Sequence, residues 1–235
     1  MLPLKRSITS SVGRKFLMAA SGIGLILFCT MHLAGNLSLY LPEGSVFNAY
    51  TAKLEHLSLL LYVVEAGLVA VFLLHIVTAI QVTFANRRAR GESYARGLKS
   101  KGGETKANVS SRYMIVSGLI LLAFLIFHLW QLKFGPSEEA GYIAKLEGED
   151  VRDLHRLVVE TFQRPHNVAL YVGVMLFLGL HLRHGFWSAF QSLGATNPRY
   201  SKPIYCTGVA VAALLAAGFL FIPLWIYFDV LGVYK

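Results

Sequence analysis

The chain has 235 residues, of which 55% are hydrophobic and only 15% charged, and it carries a net charge of +9. Its mean hydropathy is +0.53. That balance excludes an ordinary soluble domain and a disordered chain, and two cysteines give no disulfide framework.

Length therefore converts into membrane spans. Five windows are apolar and long enough to cross about 30 Å of hydrocarbon at about 1.5 Å per residue. They cover residues 16–40, 57–85, 113–134, 167–190 and 204–228. The first follows Lys5, Arg6, Arg14 and Lys15 and so resembles a secretory signal. It is about twice the usual signal core and ends in no small-residue cleavage site, so it is expected to stay in the mature protein. Cys29 and Cys206 fall in different spans and read as packing residues.

Basic residues cluster on one side. They are the four above, then Arg87, Arg88, Arg90, Arg96, Lys99, Lys101, Lys106 and Arg112 after the second span, and Arg199 and Lys202 after the fourth. Glu92 and Glu104 are the acids among them, whereas 135–166 carries Glu138, Glu139, Glu147, Glu149, Asp150, Asp153 and Glu160. Five apolar spans predict an all-α five-helix membrane bundle, which the positive-inside rule orients with its N-terminus cytoplasmic and its C-terminus external; the inner (cytoplasmic) membrane is its expected location. All 235 residues are expected to form one transmembrane domain. The positive charge reads as topology and anionic lipid rather than nucleic acid, with a cytoplasmic protein partner compatible with it. No internal repeat stands out, and the linker-like stretch is RGESYARGLKSKGGET.

Five of the eight histidines fall inside spans, where ionisable groups are costly and face a partner, pathway or cofactor. Counting to the outer ends of the first and third spans places His32 and His128 about 12 and 9 Å below the external boundary. Counting to the inner ends of the second and fourth places His75 and His181 about 15 and 14 Å from the cytoplasmic boundary. Two pairs of imidazoles, each from two helices at one height, match bis-imidazole ligation of two haems; zinc would want three or four ligands at one level. Ala19, Ala20, Ser21, Gly22, Gly24, Gly67, Ala70, Gly118, Gly173 and Gly179 leave room for a macrocycle, although small residues also serve close helix packing. Spacing alone leaves His181 and His184 as rival ligands, the depth match favouring His181.

The segments SSVGRKFLMAASGIGL, MHLAGNLSLYLPEGSVFNAYTAKL and HLRHGFWSAFQSLG resemble the five-helix, di-haem cytochrome b membrane subunit of succinate dehydrogenases and fumarate reductases, over essentially the whole chain. The resemblance implies two b-type haems, with His32 and His128 on the outer, distal iron and His75 and His181 on the inner, proximal one. HxxxG followed by two bulky residues, here His181, Gly185, Phe186 and Trp187, fixes the fourth ligand. It implies a flavoprotein subunit, an iron-sulfur subunit on the cytoplasmic face and a membrane quinone, with menaquinone expected; a dimer of complexes is compatible with it. The chain itself has no Cys cluster and no dinucleotide-binding glycine motif. Some members carry an acid two positions before the fourth ligand, where this chain has Gly179, which puts a proton route of that kind in doubt. The main alternative is a di-haem cytochrome b of a hydrogenase or formate dehydrogenase.

Glu65 is the one carboxylate well inside a span, about 12 Å deep and level with the outer pair. It is a candidate proton acceptor for quinol, a glutamate bonded within the bundle being the alternative. Asn36, Tyr40, His56 and Gln131 gather near the outer boundary as candidate quinone or haem-propionate contacts, whereas Tyr50 reads as an interfacial anchor. On the inner side Arg14, Lys15, Arg112, Arg183 and His184 are candidate partners for the propionates of the proximal haem. His155 and His166 are expected at the surface.

Overall fold

The computed structural model describes residues 10–41, 44–89, 99–100, 103–104, 114–195 and 197–229, and it is mostly helical. Among the described residues, five helices are long and apolar enough to cross a membrane. The first is α1 (Ser11–Asn36), extended by a 3-10 turn over Leu37–Tyr40. A short helix α2 (Gly44–His56) precedes α3 (Leu59–Ala89). A two-residue hairpin pairs β1 (Lys99–Ser100) with β2 (Gly103–Glu104). Helix α4 (Met114–His128) runs into a π turn over Leu129–Lys133. The hairpin β3 (Ile143–Leu146) and β4 (Glu149–Arg152) and the short helix α5 (Leu154–Phe162) follow. Helices α6 (Pro165–Ser192) and α7 (Ser201–Phe228) complete the chain.

The boundaries follow local chemistry. Ser10 accepts the Gly13 N–H at 3.0 Å and so caps the start of α1. Asp153 caps α5 through the Arg156 N–H, and Pro165, which lacks an N–H, opens α6. Ser21 and Thr78 sit mid-helix and Ser117 in the first turn of α4, where a free hydroxyl would be costly in hydrocarbon. Each donates to the carbonyl three or four residues back.

Helix α6 is the hub, packing against α7, α1 and α4. Helix α3 packs mainly on α1 and only slightly on α4; α3 and α6 are not among the closely packed pairs. Apolar side chains such as Tyr62, Val63, Val69 and Leu73 on α3 stay exposed, as expected of surface facing lipid tails. Leu39, Phe47, Val158, Phe162, Tyr171, Ile222 and Ile226 form the main core cluster. It lies at the end of the bundle where α1 finishes, which is here termed the upper end.

That end carries a folded cap, built from α2, the β3–β4 hairpin and α5, all of which fall outside the five windows read as spans. Asn48, almost fully buried, donates to Asp153 Oδ1 at 2.8 Å and accepts the His155 N–H at 2.9 Å, so α2 and α5 are stapled together. Gly35 lies against Tyr50 and Gly44 against His155, so closely that a Cβ at either would collide with the ring. The sequence blocks HLAGNL and FNAY are thus two halves of one packing arrangement. Arg152 closes the cap by donating to the carbonyls of Leu132 (2.9 Å), Pro136 (3.0 Å) and Lys133 (3.2 Å). A cation there complements the carbonyl end of α4 and its π turn.

Candidate functional site

Four imidazoles lie between the spans in two pairs. His32 of α1 faces His128 of α4 with ring centroids 6.0 Å apart. His75 of α3 faces His181 of α6 at 6.5 Å. Two imidazoles on opposite sides of one metal, with metal–nitrogen bonds of about 2 Å, place their centroids about 6 Å apart. Both pairs therefore have the separation of a bis-imidazole site. Among the described residues no group of three or more His, Cys, Asp or Glu is arranged to hold a metal; the imidazoles come in twos. Two imidazoles to a level are a donor set that would suit a haem iron, His32 with His128 and His75 with His181 being the residues that would hold it.

The pairs stand at different heights. Ser21 touches the inner pair through His75, and His32 follows Ser21 by eleven residues on α1. Ser117 touches it through His181, and His128 follows Ser117 by eleven residues on α4. Eleven residues are about three helical turns and about 16 Å, so both helices give the same separation independently.

This match exposes a repeat that the sequence reading passed over. Helices α1 and α4 share Ser-Gly-x9-His, as SGIGLILFCTMH and SGLILLAFLIFH. Helices α3 and α6 share a glycine eight residues before the histidine, as EAGLVAVFLLH and YVGVMLFLGLH. The glycines after the serines have a steric purpose. A Cβ on Gly22 would lie 3.4 Å from His75 Cε1, and one on Gly118 would lie 3.5 Å from His181 Cε1. Each ring rests directly against helix backbone.

Every one of the four Nδ1 atoms has a polar neighbour. Ser21 Oγ is 3.3 Å from His75 Nδ1, and Ser117 Oγ is 3.0 Å from His181 Nδ1. Tyr171 Oη is 3.3 Å from His128 Nδ1. Asn36 Nδ2 is 3.4 Å from His32 Nδ1 and donates to the His32 carbonyl at 2.7 Å. Phe28, Phe219 and Phe124 surround the outer pair, with Phe28 stacked on His32 at 5.4 Å. A largely apolar wall with a polar contact at each ring suits a buried cofactor.

The other expected site residues are distributed as follows. Gln131 accepts a hydrogen bond from Tyr171 Oη at 2.9 Å and thereby joins the outer pair. Tyr40 sits one layer above, donating to the Gly218 carbonyl at 3.4 Å and meeting Trp225 edge-on at 5.3 Å. Glu65 is paired with Lys133 of the π turn and is partly exposed, so it is not the isolated buried carboxylate that its sequence context implied. Arg183 donates to Tyr205 Oη at 2.6 Å on α7, which engages it outside the inner pair. His184 is half-buried beside it, and Arg14 and Lys15 occupy the first two turns of α1. Arg112 lies outside the described residues. His56 and His166 are exposed, whereas His155 is half-buried in the cap, not at the surface as expected.

Sequence reasoning missed Ser21 and Ser117 as contacts of the histidines, Tyr171 as the hydroxyl between His128 and Gln131, and Lys133 as the partner of Glu65. The signal for the serines was available in the repeated Ser-Gly-x9-His spacing; none marked Lys133, which lies 68 residues from Glu65. No family model, curated protein or solved structure matches the chain.

Proposed function

We propose that this chain is the membrane anchor and di-haem cytochrome b subunit of a succinate:quinone oxidoreductase, linking a flavoprotein and a cytoplasmic iron-sulfur subunit to a membrane quinone, menaquinone by expectation. The observation that carries this reading is the double pairing, His32 with His128 and His75 with His181, at centroid separations of 6.0 and 6.5 Å. When bound, two b-type haems supply a one-electron carrier at each level.

The residues have separable duties in this reading. The four imidazoles would hold the haem irons, while Ser21, Ser117 and Tyr171 orient three of them. Phe28, Phe124 and Phe219 exclude water from the outer level. Glu65 and Lys133, joined between α3 and the π turn, are placed to hold a quinone and to take up a proton at the carboxylate. Arg14 and Lys15 at the lower end provide positive charge for haem propionates, and the basic lower surface is the docking side for the iron-sulfur subunit. In this orientation the lower end is cytoplasmic and the membrane is the inner one.

Electrons passing from the lower side to a quinone near the upper end would move outward. Each charge that crosses couples to the membrane potential at about 2.3 kcal/mol per 100 mV. Succinate oxidation by a low-potential quinone would then draw on the potential. The full complex, purified through this chain and placed in proteoliposomes, tests the reading. Succinate-dependent reduction of a menaquinone analogue, accelerated by an inside-negative potential, is expected. Isolation of the chain with hydrogenase or formate dehydrogenase subunits, and no succinate activity, would overturn it.

A further inference from the structure

The polar neighbours of the four imidazoles are of two kinds. Ser117 Oγ donates its single proton to the Met114 carbonyl at 3.0 Å, so toward His181 Nδ1 it can only accept. Ser21 Oγ donates to the Leu17 carbonyl at 2.7 Å and likewise presents lone pairs to His75 Nδ1. The Met18 carbonyl is a second acceptor beside the same ring. Tyr171 Oη donates to Gln131 Oε1 at 2.9 Å, which leaves its oxygen to accept from His128 Nδ1. His32 stands apart, because the group facing its Nδ1 is the Asn36 amide nitrogen, a donor already bonded to the His32 carbonyl.

We propose that Ser21, Ser117 and Tyr171 are positioning residues that lock His75, His181 and His128 as Nδ1–H tautomers, and that His32, facing a donor, is the one imidazole without this lock. A hydroxyl whose proton is committed elsewhere forces the ring proton onto Nδ1 and frees the Nε2 lone pair for a metal. The inner site then has two locked ligands and the outer site one, so the outer site holds its metal centre less tightly. The repeat supports the assignment: α1 and α4 each place a serine eleven residues before a histidine, and each serine meets an imidazole of the other pair. The identity of the metal centre rests on the di-haem reading, but the tautomers do not.

The test uses the full chain in lipid bilayers with 15N-labelled histidine. Solid-state NMR reads each ring tautomer directly where no metal sits on Nε2; where ferrous, diamagnetic haem is bound, iron on Nε2 keeps the proton on Nδ1, and the Nδ1–H shift reads whether a hydroxyl accepts from it. Nδ1–H signals are expected for His75, His128 and His181. Without metal, Ser117→Ala should release His181 to a mixture of tautomers, and with haem bound it should move the His181 Nδ1–H signal to that of a ring with no acceptor; Ser117→Thr, which keeps a hydroxyl, should do neither. Identical His181 ring signals in Ser117→Ala and wild type would overturn the proposal. Transfer of haem to apomyoglobin gives the second readout. Ser117→Ala should speed loss of the inner haem about 10- to 100-fold, Ser117→Thr should not, and in wild type the outer haem should leave first. Equal loss in the two variants, or the inner haem leaving first, would contradict the assignment. A preparation without b-type absorption would defeat the di-haem reading alone, because the tautomer spectra remain decisive.

Discussion

Replacing Tyr171 with Phe isolates the hydroxyl at the outer pair. Tyr171 is 6% exposed, and its ring meets Phe124 and Phe162 at 4.9 and 4.8 Å, contacts that Phe would retain. What disappears is one oxygen, 2.9 Å from Gln131 Oε1 and 3.3 Å from His128 Nδ1. Hydrogen bonds between membrane helices average about 0.6 kcal/mol and reach about 1.7. Losing two through one atom should therefore destabilise the bundle by about 1 to 3 kcal/mol. Tyr171→Ala, which also empties the core cluster, should cost about 3 to 5 kcal/mol. Reversible unfolding in mixed micelles measures both. Combining Tyr171→Phe with Gln131→Leu removes donor and acceptor together, so the pair should show a coupling of about 0.5 to 1.5 kcal/mol. A Tyr171→Phe protein as stable as wild type, or strict additivity in the cycle, would refute the reasoning.

Three other outcomes are expected. A Cβ on Gly218 would fall 2.5 Å from Leu33 Cδ2, beside His32, so Gly218→Val should cost about 1 to 3 kcal/mol and disturb the outer pair more than the inner; unfolding together with spectra of the two centres checks this. Burial in the cap holds the His155 pKa below its ordinary 6.5, the Asp153 carboxylate opposing. The unfolded state then takes up the proton first, so the cap should lose stability as pH falls below about 6.5, read by hydrogen exchange of α2 and α5, and His155→Gln should flatten that dependence. Glu65→Gln should lower quinone turnover at normal haem content, and Lys133→Met should do so in part by freeing the carboxylate; unchanged turnover in both would remove the pair from the quinone site.

How much of this was legible in the sequence depended on the range of the physics involved. The spans were readable because lipid imposes a single requirement on about twenty successive residues. The heights of His32, His75, His128 and His181 needed only the helical rise, so their pairing could be anticipated by counting. Ser21 was read as a space-making residue, because nothing local says that its hydroxyl meets a histidine 54 residues away. The charge pair of Glu65 and Lys133 depends on a π turn that re-aims the end of α4, and no local propensity announces it. The cap was invisible for another reason. Strands of four residues and a nine-residue helix, set among acidic residues, carry too little periodicity to stand out from a loop. Asn48 and Arg152, which hold the cap together, carried no sequence signal of that role, because their partners Asp153 and Leu132 lie 105 and 20 residues away.

Haem content measured chain by chain tests the central claim most directly. The pyridine-haemochrome assay on the purified full chain, with a reduced-minus-oxidised spectrum, should give two b-type haems with low-spin bis-imidazole bands. His32→Ala or His128→Ala should each remove one, and His75→Ala or His181→Ala the other, whereas His184→Ala should leave both. No haem in the assembled protein, or loss of the same haem from substitutions in both pairs, would contradict the account.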